Sequence, residues 1–390
     1  MKKNKITTLL PVLTFLVLVF GIAIWCAVKP DTKMSETENR FLAQKPEFSV
    51  DAVMDGSFES KYETYLTDQF ILRDQFIALK SMTEKAMQKS DIKDLYLCKD
   101  NYLIRRYTEE SFNKEQVSTN VSALGEFVTH YAGIMGTDHV KAAIVPSAAM
   151  VLTDKLPKFA TPYDESQVIA QIENVVPKNT LVDLTEPLKE HKDEYIYFKT
   201  DHHWTPLGAY YGYEAWAKSA GLTPTPLDQF EKETFTTDFL GTNHSKICYA
   251  KEADTIDLYK PDVTCKVLYD DLWSSDKEKP EDKISDTMFV TKHKDEKDKY
   301  QVFLDGNHAL VDIKTSVKNG KKLLLIKDSY AHCMVPYLAT QFEQITMVDT
   351  RYYNSQVSTL KPEENYTDIL VLRNTDKFML DDSVFKLMIQ

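Results

Sequence analysis

Four short runs constrain this chain more than anything else in it: Val140-Lys141-Ala142-Ala143-Ile144-Val145, Lys322-Leu323-Leu324-Leu325-Ile326, Gln344–Val348 and Asp368–Leu372. Each is nearly all apolar and rich in branched residues, and each is followed by polar residues and then a helix-like stretch. A strand that reads as apolar throughout is covered on both faces, which is the habit of parallel sheets with helices above and below. Helix-like patterns at 114–133 and 165–176, and a further short strand at 181–184, continue the rhythm. The alternation predicts an α/β fold with a largely parallel sheet covered on both faces.

The rest of the chain hangs on that core. From Leu9 to Val28 the residues are apolar apart from Pro11 and Thr14, and Lys2, Lys3 and Lys5 stand in front. About 20 such residues cross a bilayer as a helix, and leading lysines stay on the cytoplasmic side. Residues 1–29 therefore read as a signal anchor with the body extracytoplasmic, and a cleaved signal is the alternative. The run ends in Trp25-Cys26-Ala27-Val28, a poor cleavage sequence, and Trp25 stands where a lipoprotein would need a small residue.

Residues 30–112 read as an extended polar stalk (30–55), a helix or broken helix pair (57–88) and two short strands around Lys99-Asp100-Asn101. Residues 113–390 form the α/β domain. Its rhythm breaks over 222–320, a polar segment with "SSDKEKPEDK", read as an insertion of small strands and long loops. The five cysteines show no metal spacing, and only Cys248 and Cys265 suggest a possible pair. A net charge of −12 argues against nucleic acid held by bulk electrostatics.

In an open α/β sheet the chemistry gathers at the carboxyl ends of strands. Two places fit. Tyr195–Phe198 reads as a strand running into Lys199-Thr200-Asp201-His202-His203-Trp204-Thr205-Pro206, where Thr205 caps a helix with Pro206 in its first turn. Lys322–Ile326 runs into Lys327-Asp328-Ser329-Tyr330, placing Ser329 at a helix start. A serine there, a histidine as its base and an aspartate to fix the imidazole make a nucleophilic triad of Ser329, His203 and Asp201. Each residue also has a plain reading: "KDSY" as a helix cap, Asp201 as a cap, Trp204 as core. A metal held by Asp201, His202 and His203 is the weaker reading, because neighbours in an extended segment point to opposite faces. No metal or cofactor is expected.

"TDHHWTPLGAYYGYEAW" resembles the hallmark of the DHHW family of bacterial extracytoplasmic proteins. The likeness continues through "SETENRFLAQKPEF", "GSFESKYETYLTDQFILRDQFIALKS", "DLYLCKDNYLI", "VPSAAMVLTDKLP", "FLDGNHALV" and "LLLIKDSYAHCMVPYLA". That family is similar to the SGNH hydrolase-like domain of the alginate O-acetyltransferases, in which a T-D-x-H-W segment precedes the nucleophilic serine. The resemblance implies a flavodoxin-like SGNH fold, circularly permuted because Asp and His precede Ser. It assigns Asp201, His203 and Ser329 to the triad and leaves His202 at the variable position. It also implies acetyl transfer to a cell-surface or secreted polysaccharide, with a membrane-bound O-acyltransferase supplying the acyl group.

The sequence departs from that pattern at Lys327, where a glycine is usual, and has no clear oxyanion motif. Asn307 with Gly306 is the preferred candidate, ahead of Asn243 with Gly241. The same triad would serve a glycan O-acetyl esterase. A non-catalytic accessory of a membrane acyltransferase complex is the reading from a different class.

Overall fold

The computed structural model describes residues 5–35, 37, 40–270 and 283–389, so most of the "SSDKEKPEDK" run lies outside the described residues. The chain divides into two compact units, Met1–Gln88 with Ser245–Tyr249, and Lys89–His244 with Ala250–Gln390.

The first unit is helical. Helix α1 (Lys5–Val28) contains the apolar run Leu9–Val28, one helix long and apolar enough to cross a membrane. The pattern at 57–88 resolves into a broken pair, α2 (Ser57–Asp68) and α3 (Arg73–Ala86). The break falls at Leu72, which sits in the left-handed region at φ 52°. The preceding segment is not the extended stalk that its polarity suggests. Met34–Ser35 pairs antiparallel with Arg40–Phe41, and Val50–Met54 is a short helix capped by Ser49. Arg40 grips Asp68 with two nitrogens at 2.6 and 2.8 Å, and this bond holds the Asp68 carboxyl down at about 2.

The second unit is built on an eight-stranded mixed sheet. Its strands are β1 (Val140–Val145), β2 (Leu181–Asp183), β3 (Cys265–Asp270), β4 (Ile284–Ser285), β5 (Leu310–Thr315), β6 (Lys322–Lys327), β7 (Gln344–Val348) and β8 (Asp368–Asn374), in spatial order β4-β3-β5-β7-β6-β8-β1-β2. From β7 to β2 every pairing is parallel, and from β4 to β7 every pairing is antiparallel. The expectation of a largely parallel sheet thus holds for one half. The segment 222–320 breaks the helix–strand rhythm because β3, β4 and β5 come from it and run antiparallel. An antiparallel strand needs no crossover helix.

The parallel half follows the burial rule: every residue of β1 and β8 is buried, with a hydrophobic cluster on each face of the sheet. Helix α4 (Lys114–Met135) and α5 (Ser166–Val175) cover one face through Leu124, Phe127, Val168 and Ile172. Helix α6 (Pro206–Ser219) packs Tyr213 and Trp216 into the cluster on the other. All five cysteines carry free thiols, Cys248 and Cys265 included.

Candidate active site

The loop bearing Asp201 and His203 does not end a sheet strand, as its sequence suggests. Residues 195–198 contribute only an isolated bridge, Tyr197 to Trp204, so the chain doubles back on itself. The turn is closed by Phe198 N–H donating to the His203 carbonyl (3.2 Å) and Thr205 N–H to that of Ile196 (2.9 Å). Asp254 staples it from a distant strand. Its carboxylate accepts from Tyr195 Oη, Lys199 N, and both N and Oγ1 of Thr200, all at 2.5–2.7 Å. Trp204 is fully buried beneath, and its indole N–H donates to the Tyr330 carbonyl at 2.8 Å. Gly212 leaves room for that ring, since a Cβ there would meet it at 2.7 Å. Thr205 caps α6 as its sequence predicts, its Oγ1 accepting from Gly208 N–H.

Ser329 stands just past β6, with Asp328 between them. The element after it is a 3-10 turn, Ser329–Met334, and then one α-turn, Val335–Leu338. The sequence suggests a longer helix to about Phe342, so its dipole is not available to the serine at full strength. Asp328 holds the turn instead: one carboxylate oxygen accepts from Tyr330 N–H (2.9 Å), the other from Asn374 N–H at the end of β8 (2.8 Å).

The three residues meet. His203 Nε2 lies 2.7 Å from Ser329 Oγ, and His203 Nδ1 lies 2.6 Å from Asp201 Oδ1. A carboxylate only accepts, so the Nδ1 proton points at Asp201 and the Nε2 lone pair faces the serine hydroxyl. His203 N–H also donates to Asp201 Oδ1, at 3.0 Å. The second carboxylate oxygen accepts from Thr242 N–H (2.7 Å) and Thr242 Oγ1–H (2.9 Å). Burial works against the charge on Asp201, yet the neighbouring His202 and His203 imidazoles hold its pKa well below the usual carboxylate range. The Tyr300 ring stacks on His203 at 4.1 Å and 11°, and its hydroxyl donates to the Ser329 carbonyl at 3.1 Å. One aromatic residue thus touches both base and nucleophile.

The two histidines do not diverge. Because the segment turns rather than extends, the His202 ring lies 3.9 Å from that of His203, with Nδ1 3.5 Å from Asp201 Oδ1. His202 Nδ1 donates to Thr242 Oγ1 at 2.7 Å, which leaves the threonine's own hydrogen for Asp201. Burial and the neighbouring His203 push the His202 pKa well below its ordinary value. Asp201, His202 and His203 do present ligand atoms within 4.8 Å of one another. His202 Nδ1, His203 Nδ1 and the Asp201 oxygens are engaged in the hydrogen bonds just given, and His202 Nε2 is buried with no hydrogen-bond partner among the described residues.

Asn307 is exposed and accepts from Arg351 Nη2 at 3.1 Å, while Gly306 (φ +90°) packs near Gln301. Among the described residues no hydrogen bond joins either to Ser329. Asn243 serves the loop: its Oδ1 accepts from Arg105 Nε (3.1 Å) and its amide donates to the Leu103 carbonyl (2.8 Å). Gly241 abuts Asp201 so closely that a Cβ would stand 2.3 Å from the aspartate Cβ. Thr242, Asp254 and Tyr300 are the residues that sequence reasoning missed, while Gly241, weighed there as an oxyanion donor, instead packs against Asp201. In "DFLGTNHSK" the sequence draws attention to Gly241 and Asn243 and not to the Thr242 between them.

The family of DHHW proteins matches residues 105–348, a span that contains Asp201, His203 and Ser329. The chain belongs to the DHHW family. A solved DHHW family protein from Eubacterium siraeum is similar over 77% of this chain and 98% of its own, at 25% identity and a TM-score of 0.62. Bacillus cereus PatB1, solved with a sulfonyl adduct, shares the fold over 74% of this chain and 98% of its own, at 17% identity and a TM-score of 0.58. No curated protein matches the sequence.

Proposed function

We propose that this DHHW protein is an extracytoplasmic O-acyltransferase that moves an acyl group, most simply acetyl, onto a cell-surface or secreted polysaccharide. The observation that carries the reading is the unbroken chain Asp201–His203–Ser329, with contacts of 2.6 and 2.7 Å and the imidazole in the tautomer a general base needs. Ser329 Oγ attacks the donor's carbonyl carbon as its proton passes to His203 Nε2. That proton then leaves with the departing group, and an acyl-serine ester remains. A sugar hydroxyl gives its proton to His203 and attacks the ester, and collapse returns the proton to Ser329. The Ser329 backbone N–H has no hydrogen-bond partner among the described residues, which leaves it open to a developing oxyanion.

On this reading the sheet is a circularly permuted SGNH-like core, residues 1–29 are the anchor, 30–112 the membrane-proximal segment and 113–390 the catalytic domain with its insertion 222–320. A membrane-bound O-acyltransferase supplies the acyl group. An open groove of about 580 Å³, lined in part by Tyr102, Tyr195, Lys199 and Glu252, runs beside residues 195–199, and Asp201, His203 and Ser329 are not among its lining residues.

The test is hydrolysis of 4-nitrophenyl acetate by the full chain in detergent micelles, paired with detection of acylated product from a glycan acceptor. Wild type is expected to turn over the ester and Ser329→Ala to be inert. An inactive wild type, with normal glycan acylation in Ser329→Ala cells, would overturn the enzyme reading. Ester cleavage with no transfer to any acceptor would mark an esterase.

A further inference from the structure

The helical unit carries an apolar surface that the triad does not explain. It begins where α1 stops. Three residues past Val28, Asp31 accepts from Tyr65 Oη at 2.9 Å. One residue later, Thr32 N–H donates to Gln69 Oε1 (2.9 Å), and its carbonyl accepts from Gln69 Nε2 (2.8 Å). The four residues from Val28 to Thr32 cover at most about 14 Å, and the Gln69 side chain with its bond adds about 7 Å, so these bonds keep the end of α2 within roughly 20 Å of the last residue of the apolar run.

From that point aromatic rings file along α2. Tyr65 meets Tyr62, Tyr62 meets Phe58 and Phe58 meets Phe48, with centroids 5.5–5.7 Å apart. In the other direction Phe70 packs edge-on to Phe76 at 5.6 Å. Phe76, Leu79 and Met82 then recur at three-residue spacing along one side of α3, each about half exposed (46, 59 and 54%). The opposite side of α3 is committed. Ser81 is buried and donates to the Ile247 carbonyl at 2.8 Å, and Lys85 reaches Tyr249 Oη at 2.9 Å. A helix fixed by one face and apolar on the other, with Arg73, Lys80 and Lys85 against Asp74 and Glu84, has the make-up of a helix that lies in a membrane surface.

The geometry points to α2 and α3 as a membrane-surface element. The Phe76–Leu79–Met82 face sinks into the headgroup layer of the leaflet from which α1 emerges, and the Tyr62 and Tyr65 rings sit at its interface with water. The tether favours lipid over a soluble partner: the face starts where the membrane span ends and is held within roughly 20 Å of it, next to the headgroup layer. The inference rests on α1 spanning the bilayer.

The experiment uses the full chain in nanodiscs of phosphatidylcholine and phosphatidylglycerol, with p-benzoylphenylalanine placed singly at Leu79, at Phe15 within α1, or at exposed Glu186 in the other unit. After illumination, intact-mass spectrometry counts phospholipid adducts. The expected result is adducts at positions 15 and 79, the latter about tenfold above position 186. Adducts at 15 with none above background at 79 would overturn the inference and leave the anchor standing. No adduct at 15 would remove the anchor and the inference with it. A protein cross-link at 79 in native membranes, in place of lipid, would give the face to a partner and also overturn it.

Discussion

Gly241→Ala perturbs the support behind the triad without substituting any of its three members. Gly241 does not occupy the left-handed region, so alanine carries no backbone penalty and the effect is steric alone. The new methyl would lie 2.3 Å from Asp201 Cβ and 2.4 Å from its Oδ2, where ordinary contact begins at 3.4 Å. Asp201 or the 241–242 backbone must therefore give way by about 1.1 Å. Either movement opens the 2.7 Å bond from Thr242 N–H and swings the carboxylate that fixes His203. A misplacement of about 1 Å in a reacting constellation costs on the order of 100-fold in rate, and full loss of the aspartate's role about 10⁴-fold. We expect kcat on 4-nitrophenyl acetate to fall by about 10²–10⁴, with KM little changed because the perturbation acts through Asp201, which orients the base. Gly125→Ala is the matched control. Its methyl would press on the Val175 side chain at 2.7 Å, between α4 and α5. Overpacking of this kind costs about 1–3 kcal/mol of stability, so both variants should lose Tm, yet Gly125→Ala should keep kcat. A Gly241→Ala enzyme within about twofold of wild type, or a Gly125→Ala enzyme equally impaired, would refute the reasoning from steric support.

Three further outcomes follow from the same geometry. Ser329→Ala and His203→Ala should each lower ester turnover by at least about 10³-fold with Tm nearly unchanged, and the double variant should be no worse than either. Thr242→Val deletes a hydroxyl bond to a charged carboxylate, a loss of about 1.5–3 kcal/mol. It should therefore slow kcat by about 10–100-fold, while Thr242→Ser keeps the hydroxyl and most of the rate. Burial, and next the charge of nearby Glu165, raise the pKa of Asp376 well above the carboxylate range. A raised acid stabilises the fold below its unfolded pKa and loses that contribution as pH rises. The Tm advantage of Asp376→Asn over wild type, followed by calorimetry, should therefore grow from pH 4 to pH 8, and a constant difference would contradict the assignment.

What the sequence revealed tracks how local each signal is. Strands β1, β6, β7 and β8 are visible because burial on both faces leaves runs of apolar residues with nothing else to be. The α6 cap is visible because Thr205 and Pro206 act on the very next turn. The mixed sheet was hidden because β3 and β5 alternate, with only every second residue of β3 buried, inside a segment full of aspartate and lysine. The 195–198 stretch passed for a sheet strand on its aromatics, which instead pack a doubled-back loop. The two histidines were set on opposite faces by a rule for extended chain that this turn does not obey. Thr242 and Asp254 were invisible for a different reason: each acts 40 or more residues from the loop it holds, in polar surroundings with no period. Asn307 was singled out for its place in "FLDGNHALV", and the fold engages its Oδ1 with Arg351.

Lys327 occupies the place where a glycine was expected, and its surroundings have a mechanical consequence. The side chain is buried, with its ammonium 2.9 Å from Asp349 Oδ2 just past β7 and 2.7 Å from His332 Nε2. The neighbouring Asp328 reaches the end of β8 on the other flank. The nucleophile therefore does not hang from a flexible turn. It is mounted on three adjacent strand ends at once, like a tool post on a tripod. Thermal displacement of any one strand is shared among the others before it reaches Ser329, and the serine's positional noise becomes that of the sheet.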